Sequence, residues 1–429
     1  MLLVRPYDLG LTGCMSVHKR QRAPRAGTRP SATVWVLAFG SFAVGTGLFA
    51  LGGVLPQMAR SLGASVGAAG QAVTVFALTY AVAAPLLATV AGRWSARRVL
   101  LGALVVFSIG NAATAAAPTL TALLASRVVA ALGAAAFTPV ALGAAAAIVS
   151  PERRGRALAA VMSGLNGSLA VGVPLGIVLS RFSTWRSAVV LVAALGIVAS
   201  LVLAATIRDL PPVPQPSFRA VARLLRRPRI VAVLAVTVLS VAAGISAYTY
   251  IAAILGDTVH ATGWTFLALL VLYGAGAFLG SLTAGRLIDT FGPNRTVTGA
   301  IVALLLILAL VPFMRVLAIV AVLVVFWGAA FVASTPPQQL KLVGAAPDNA
   351  TVAVSLNSSG IYLGQAPGAA MGGLALRAGL ESRQLPFLAA ALALAALLVH
   401  VAAARARADG RSRLSGHQDT RLPRKGGSP

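Results

Sequence analysis

Residues 284–295 read AGRLIDTFGPNR, a charged and glycine-bounded dozen set between two long apolar runs. A shorter echo, AGRWSARR at 91–98, occupies the same kind of gap earlier in the chain. What lies on either side of the two hinges fixes the class of fold. The chain has 429 residues, of which 58% are hydrophobic and only 10% charged, with a mean hydropathy of +0.88. A soluble domain carries about 25% charged residues, so this is the composition of an integral membrane protein. Apolar stretches alternate with short polar breaks at the length a helix needs to cross hydrocarbon, about 20 residues. The alternating segments of about ten residues that build a membrane β-barrel are not found.

Twelve spans are expected: 33–54, 69–91, 99–117, 119–148, 158–180 and 187–207, then 230–254, 264–285, 296–313, 316–336, 351–375 and 385–403. Between the two sets lies RDLPPVPQPSFRAVARLLRRPR (208–229), rich in proline and arginine and too polar to cross. The expected division is a basic tail (1–32), a six-helix bundle (33–207), a linker (208–229), a second six-helix bundle (230–403) and a second basic tail (404–429).

Positive charge stays on the cytoplasmic side during insertion. Of the 35 lysines and arginines, 28 fall in the tails, the linker and the breaks after even-numbered spans. Both termini are therefore expected in the cytoplasm. The net charge of +26 is spread over tails and loops beside apolar helices. It reads as a topology signal with attraction to anionic lipid headgroups, not as a nucleic-acid surface. One cysteine, Cys14, excludes disulfide and zinc frameworks by count, and no cofactor or metal is expected.

The two halves repeat. The fifth span carries Gly164, Ser168, Gly172, Gly176 and Ser180 at four-residue spacing, and the eleventh carries Gly360, Gly364, Gly368 and Gly372. Such spacing puts small residues on one helix face, where two backbones can approach closely. The stripes are offset by 196 positions, as are Arg93 and Asp289 in the two hinges. One six-helix unit has been used twice.

Two parallel six-helix repeats joined by a linker are the architecture of major facilitator transporters, and the motifs extend that resemblance. GRLIDTFGPNR (285–295) resembles the superfamily's G-x-L-x-D-x-x-G loop, with Gly285, Asp289 and Gly292 in place. VGVPLG (171–176), containing Pro174, resembles the antiporter motif of the fifth helix, and LLASRVVAALG (123–133) the fourth-helix motif with its buried arginine at Arg127. The stretches 45–63, 69–88, 248–255 and 355–380 are similar to the drug/proton antiporter branch, of the chloramphenicol-resistance and arabinose-efflux type. The similarity spans roughly residues 33–403. It implies an all-α fold of two pseudo-symmetric bundles and a proton antiporter without enzymatic activity.

Each hinge then links the second and third helices of its unit. Gly285 and Gly292 would allow a tight turn, and Asp289 would accept hydrogen bonds from helix N-termini and arginines in one state of a gate. The first hinge carries Gly92, Arg93, Arg97 and Arg98 instead, so the same chemistry is not open to it.

An ionisable group inside the membrane is a functional candidate. Arg127 is the clear case, expected to face the central cavity and to take part in proton transfer or solute binding. The alternative is a structural arginine held by helix carbonyls. An arginine scarcely deprotonates, so it could tune a proton carrier without being one. All nine acidic residues fall in tails, loops or helix ends, and His18, His260, His400 and His417 are placed at the periphery. Relatives of this branch typically carry a glutamate in a G-x-x-E-F pattern in the first helix, and here GTGLF places Leu48 there.

Uncharged polar and aromatic side chains are the expected cavity wall: Gln71, Tyr80, Asn166, Tyr248, Tyr250, Trp327, Asn357, Tyr362 and Gln365. Such a pocket suits a neutral, moderately apolar solute. Each could instead serve as an interhelical hydrogen bond, and Tyr248 and Tyr250 as anchors at the membrane interface. The expected function is export of a small, mostly neutral organic solute from a bacterial cytoplasm by a monomer, with protons as the coupling ion. A proton-independent facilitator or importer and a transport-inactive membrane sensor are the alternatives.

Overall fold

The computed structural model describes residues 32–91, 94–150, 153–210, 218–347 and 350–419. Gly92, Arg93 and the N-terminal tail lie outside the described residues. Among those described there is no strand. The helices are α1 (Ala32–Ser61), α2 (Val66–Ala91), α3 (Ala96–Ala116), α4 (Leu120–Ala147), α5 (Arg154–Gly167), α6 (Val173–Phe182), α7 (Trp185–Thr206) and α8 (Phe218–Leu225), followed by α9 (Pro228–Tyr248), α10 (Ile251–Val259), α11 (Gly263–Leu310), α12 (Leu317–Ala333), α13 (Thr335–Ala345), α14 (Ala350–Arg377) and α15 (Leu385–Asp419). Helix is the only local structure open to a single segment in lipid, because no water is there to bond a free N–H or C=O.

Ten helical stretches among the described residues are long and apolar enough to cross a membrane. Two further crossings escape that criterion, for different reasons. The 48 residues of α11 would run about 72 Å as one straight helix, more than twice the hydrocarbon thickness. Gly292 breaks it with a φ of +77°, a backbone conformation that glycine adopts without strain. Ala284 and Ala300 then pack in one cluster with Ala333, which a straight helix would forbid. α14 is long enough at 28 residues but carries serine, asparagine, glutamine and glycine along its length. The chain thus makes twelve crossings in two bundles of six.

The fifth crossing is α5, a π-helical turn (Ser168–Gly172) and α6. The turn precedes Pro174, which lacks an N–H for the helical ladder. α14 passes through Pro367 without interruption. The seventh crossing bends between α9 and α10, and the tenth joins α12 to α13, extending well past its expected end at residue 336. Within the expected linker, α8 docks on the second bundle through Leu224, which packs with Leu342, Val352 and Leu356.

The repeat is visible in contacts as well as in sequence. A Cβ on Gly164 would strike the Ala38 carbonyl of α1, and one on Gly360 would meet Leu234 of α9, each residue 196 positions after its counterpart. Gly172 against Thr46 and Gly368 against Ala242 keep the same offset. The glycine stripes therefore fasten the fifth crossing to the first and the eleventh to the seventh, inside each bundle. They pack within each bundle, the close backbone approach that their spacing implies.

The second hinge is narrower than expected. Helix continues through Gly285 and Asp289, and Gly292 alone makes the turn. Asp289 is exposed, and no hydrogen bond or ion pair to it is found among the described residues. In the first hinge Arg97 donates from Nε to the Ile207 carbonyl (2.5 Å) and from Nη2 to that of Ala204 (3.0 Å). It caps the end of α7, where a cation meets the negative end of the helix dipole. Arg98 is exposed.

Candidate functional site

The face at which the chain enters α1 is called here the terminal face, and the opposite one the distal face. The bundles meet along α2 and α14, and along α11 against the fifth crossing. From the distal rim to mid-helix, backbone approaches backbone. A Cβ on Gly67 would meet the Gly373 carbonyl, one on Gly52 the Tyr248 carbonyl, and one on Gly274 the Leu169 carbonyl. Gly70 accommodates the Tyr250 hydroxyl. At the rim the Arg181 guanidinium stacks 4.2 Å from the centre of the Trp264 ring, beside Gly263 with its positive φ. Two contacts lie near the middle of their helices: the Tyr80 and Tyr362 rings stack at 3.4 Å, and Asn166 donates to Ser281 at 3.0 Å. The distal side is closed.

Behind this closure lies a cavity of about 10 Å³, lined by Leu48, Phe49, Gly52 and Val73 from the first bundle and Ile245, Tyr248, Thr249 and Gln365 from the second. That volume holds a single water. A drug-sized solute needs about 300 Å³ or more, so this is the shut form of any solute site. An aromatic row continues from it: Phe49 meets Tyr248 edge-on at 5.7 Å, Tyr248 lies 4.9 Å from Tyr273, and Tyr273 meets Trp327 edge-on at 5.6 Å. The Tyr273 hydroxyl and the Trp327 indole N–H are buried without a hydrogen-bond partner. A larger furrow of about 380 Å³ between α2 and α4 is lined by Leu78, Val82, Ala83, Leu86, Leu132 and a single polar residue, Thr79. It offers little to orient a polar solute.

The expected wall residues divide. Tyr248 and Gln365 line the cavity. Trp327 ends the aromatic row, and Tyr80 and Tyr362 stack across the bundles with the Thr138 hydroxyl beside both. Asn166 is the inter-bundle hydrogen bond just described. Asn357 accepts from Thr237 at 3.4 Å, Gln71 donates to the Gly67 carbonyl at 3.4 Å, and Tyr250 donates to the Ala369 carbonyl at 3.0 Å. Asn357 and Tyr250 thereby join neighbouring helices, while the Gln71 bond stays within α2. Tyr248 and Tyr250 are buried, so neither is an interface anchor.

Arg127 does not line the cavity. It is 1% exposed and donates to Asn111 Oδ1 at 3.2 Å and to the Gly47 carbonyl at 3.1 Å. Its guanidinium lies 4.4 Å from the centre of the Phe76 ring. It ties α4 to α1, α2 and α3 within the first bundle, because carbonyl and ring give it partners that the cavity does not. Its reach to the cavity is indirect: Gly47 precedes Leu48 and Phe49 on the wall. Asn111 was not among the expected residues, although an asparagine within an apolar span is a signal of a buried partner.

His400 also departs from expectation. It is 3% exposed, with Nδ1 at 3.3 Å from Lys341 Nζ, because α13 prolongs the tenth crossing over it. Asp209, Asp257, Asp289 and Glu381 are exposed. No group of three or more metal-ligating side chains occurs among the described residues.

Two six-helix bundles meeting over a shut, uncharged cavity define a membrane transport protein. The Major Facilitator Superfamily profile matches residues 37–369, and the chain belongs to that superfamily. It is 32% identical to the inner membrane transport protein YdhP of Escherichia coli over 369 residues, 86% of this chain and 95% of that one. It is 30% identical over 378 residues to a chloramphenicol efflux pump of Mycobacterium tuberculosis, covering 85% of this chain and 89% of the pump. Among solved structures, a bacterial homolog of the human lysosomal transporter Spinster, inward-facing and unoccupied, aligns with a TM-score of 0.66 at 19% identity, covering 88% of this chain and 98% of that one. The protein is a multi-pass membrane transporter of that superfamily.

Proposed function

We propose that the protein exports a small, neutral organic solute by alternating access, with the terminal face and both termini in the cytoplasm. The observation that carries this reading is the cavity wall: four residues from each bundle, mostly aliphatic and aromatic with one amide and one threonine, and no Asp, Glu, His, Lys or Arg among them. A charged solute would lose its hydration there without compensation, whereas a neutral one gains apolar contact. The name of the mycobacterial relative favours export and an uncharged aromatic drug as solute class. The same wall favours a second reading, facilitation without protons, because a coupled carrier needs a group that binds and releases a proton in each state. The protein works as a monomer, and its basic loops meet anionic headgroups.

Inverted vesicles with an acidified lumen test both readings. Chloramphenicol is expected to accumulate in vesicles carrying the protein and not in empty ones. Proton release coupled to that uptake would establish an antiporter, and uptake indifferent to the gradient a facilitator. No flux across a panel of neutral solutes would leave the sensor alternative standing.

A further inference from the structure

Of the buried polar side chains without a hydrogen-bond partner among the described residues, two stand on the cavity wall. Of the buried threonines, Thr46, Thr114, Thr138 and Thr237 each donate to the carbonyl four residues back, whereas Thr258, away from the cavity, does not. Thr249, 1% exposed, makes no such bond, and its hydroxyl is buried without a partner. It stands where α9 stops and Tyr250 leaves helical geometry (φ −109°, ψ 18°) before α10. Buried amides behave in the same way. Asn111 and Asn357 are hydrogen-bonded, while Gln338, away from the cavity, has both amide atoms unpartnered and Gln365, 3% exposed and on the cavity wall, has a buried Oε1 with no partner. The third polar wall residue, Tyr248, is already committed, its hydroxyl donating to the Phe49 carbonyl at 3.3 Å. An unpaired buried polar group is costly, and here two of them border one cavity.

We propose that Gln365 and Thr249 form the hydrogen-bonding subsite for the solute: Gln365 Oε1 accepts from an amide N–H or hydroxyl, and the Thr249 hydroxyl donates to a carbonyl or hydroxyl. The inference rests on the transport reading above and deepens it. Both residues belong to the second bundle, whereas the first contributes only Leu48, Phe49, Gly52 and Val73. Recognition is therefore asymmetric. The second bundle reads the polar edge of the solute and the first covers its apolar face, so the solute keeps its hydrogen bonds to the second bundle when the bundles part. The class of solute is a neutral molecule with an amide or hydroxyl edge beside an aromatic or alkyl face.

The test uses the full chain, purified, with chloramphenicol as the probe, since it carries one amide, two hydroxyls and an aromatic ring. Gln365→Leu is expected to weaken binding by roughly 10-fold and Thr249→Val by roughly 3-fold or more. Thermal stability should hold or rise, because each change removes an unpaired polar atom. N-methylation of the chloramphenicol amide should weaken wild-type binding by a similar factor and add little in Gln365→Leu, as expected for coupled groups. A merely structural Gln365 would instead lower stability and give additive losses. Wild-type affinity in both variants, with wild-type flux intact, overturns the subsite and leaves the transport reading standing. Failure of the wild-type protein to bind or move chloramphenicol or any other neutral amide or alcohol overturns both.

Discussion

Gly274→Val is expected to leave a folded, membrane-inserted protein that transports nothing, while Gly276→Val is expected to lose most of its folded protein. The two glycines lie two residues apart on α11, about 200° around the helix, and face different partners. A Cβ at 274 would strike the Leu169 carbonyl of the other bundle, and one at 276 the Val325 carbonyl of its own. Both obstacles are backbone, which cannot rotate aside. Between bundles the clash is relieved by parting them, so the valine at 274 excludes the distally closed state. Overpacking of this kind costs about 3 kcal/mol at the upper end, which shifts the equilibrium by roughly 100-fold. Within a bundle the same clash has no such escape. Solute flux in vesicles, together with the monodisperse fraction on size-exclusion chromatography, separates the two outcomes.

Arg127→Ala is expected to abolish transport with normal insertion, through the cavity wall and not through the solute. The guanidinium pins the Gly47 carbonyl to α4 and α3, and Leu48 and Phe49 follow on the wall. The alanine leaves the Gly47 and Asn111 acceptors without their donor, at about 1–3 kcal/mol each, and opens a void beside Phe76. It also removes a buried charge that has no carboxylate partner among the described residues, which offsets part of the loss in stability. Binding and flux are therefore expected to fall further than stability does. Arg127→Lys keeps the charge but lacks the planar fork that reaches two partners, so intermediate flux is expected. Near-wild-type flux in Arg127→Ala would remove the residue from the mechanism. The readouts are chloramphenicol binding, flux and thermal unfolding on the same preparations.

Much of the fold was legible because lipid simplifies the code. Every crossing is a helix, its length is set by the membrane, and the small-residue stripes showed the repeat before any contact was known. The stripes did not reveal what they pack against, since Gly164 reads alike whether α1 or the opposite bundle lies on it. Nor could spacing show that helix runs on through Gly285 and Asp289, because one glycine at φ +77° suffices for the turn. The site was legible in its chemistry and less so in its placement. Tyr248 and Gln365 reached the cavity, but Asn357 and Tyr250 found partners on neighbouring helices and Gln71 one on its own. Thr249 was invisible, because nothing in the sequence distinguishes it from the threonines that bond their own helix, and its place on the wall depends on the break before α10. Arg127 was conspicuous as a lone charge, yet its partners, a carbonyl and a ring, carry no charge pattern to read. His400 was misplaced because the length of α13 was.

The most direct measurement concerns the two-sidedness of the cavity. With Cys14→Ser removing the chain's only native cysteine, Val73→Cys places one thiol on the cavity wall. Labelling by a membrane-impermeant maleimide is then followed separately from each side of oriented vesicles. The thiol is expected to react from either side, more slowly when chloramphenicol is bound. In the Gly274→Val background it is expected to react from the distal side alone. Reaction from the terminal side that persists undiminished in that background would contradict alternating access, because it would mean that the cavity opens to that side without the bundles closing distally.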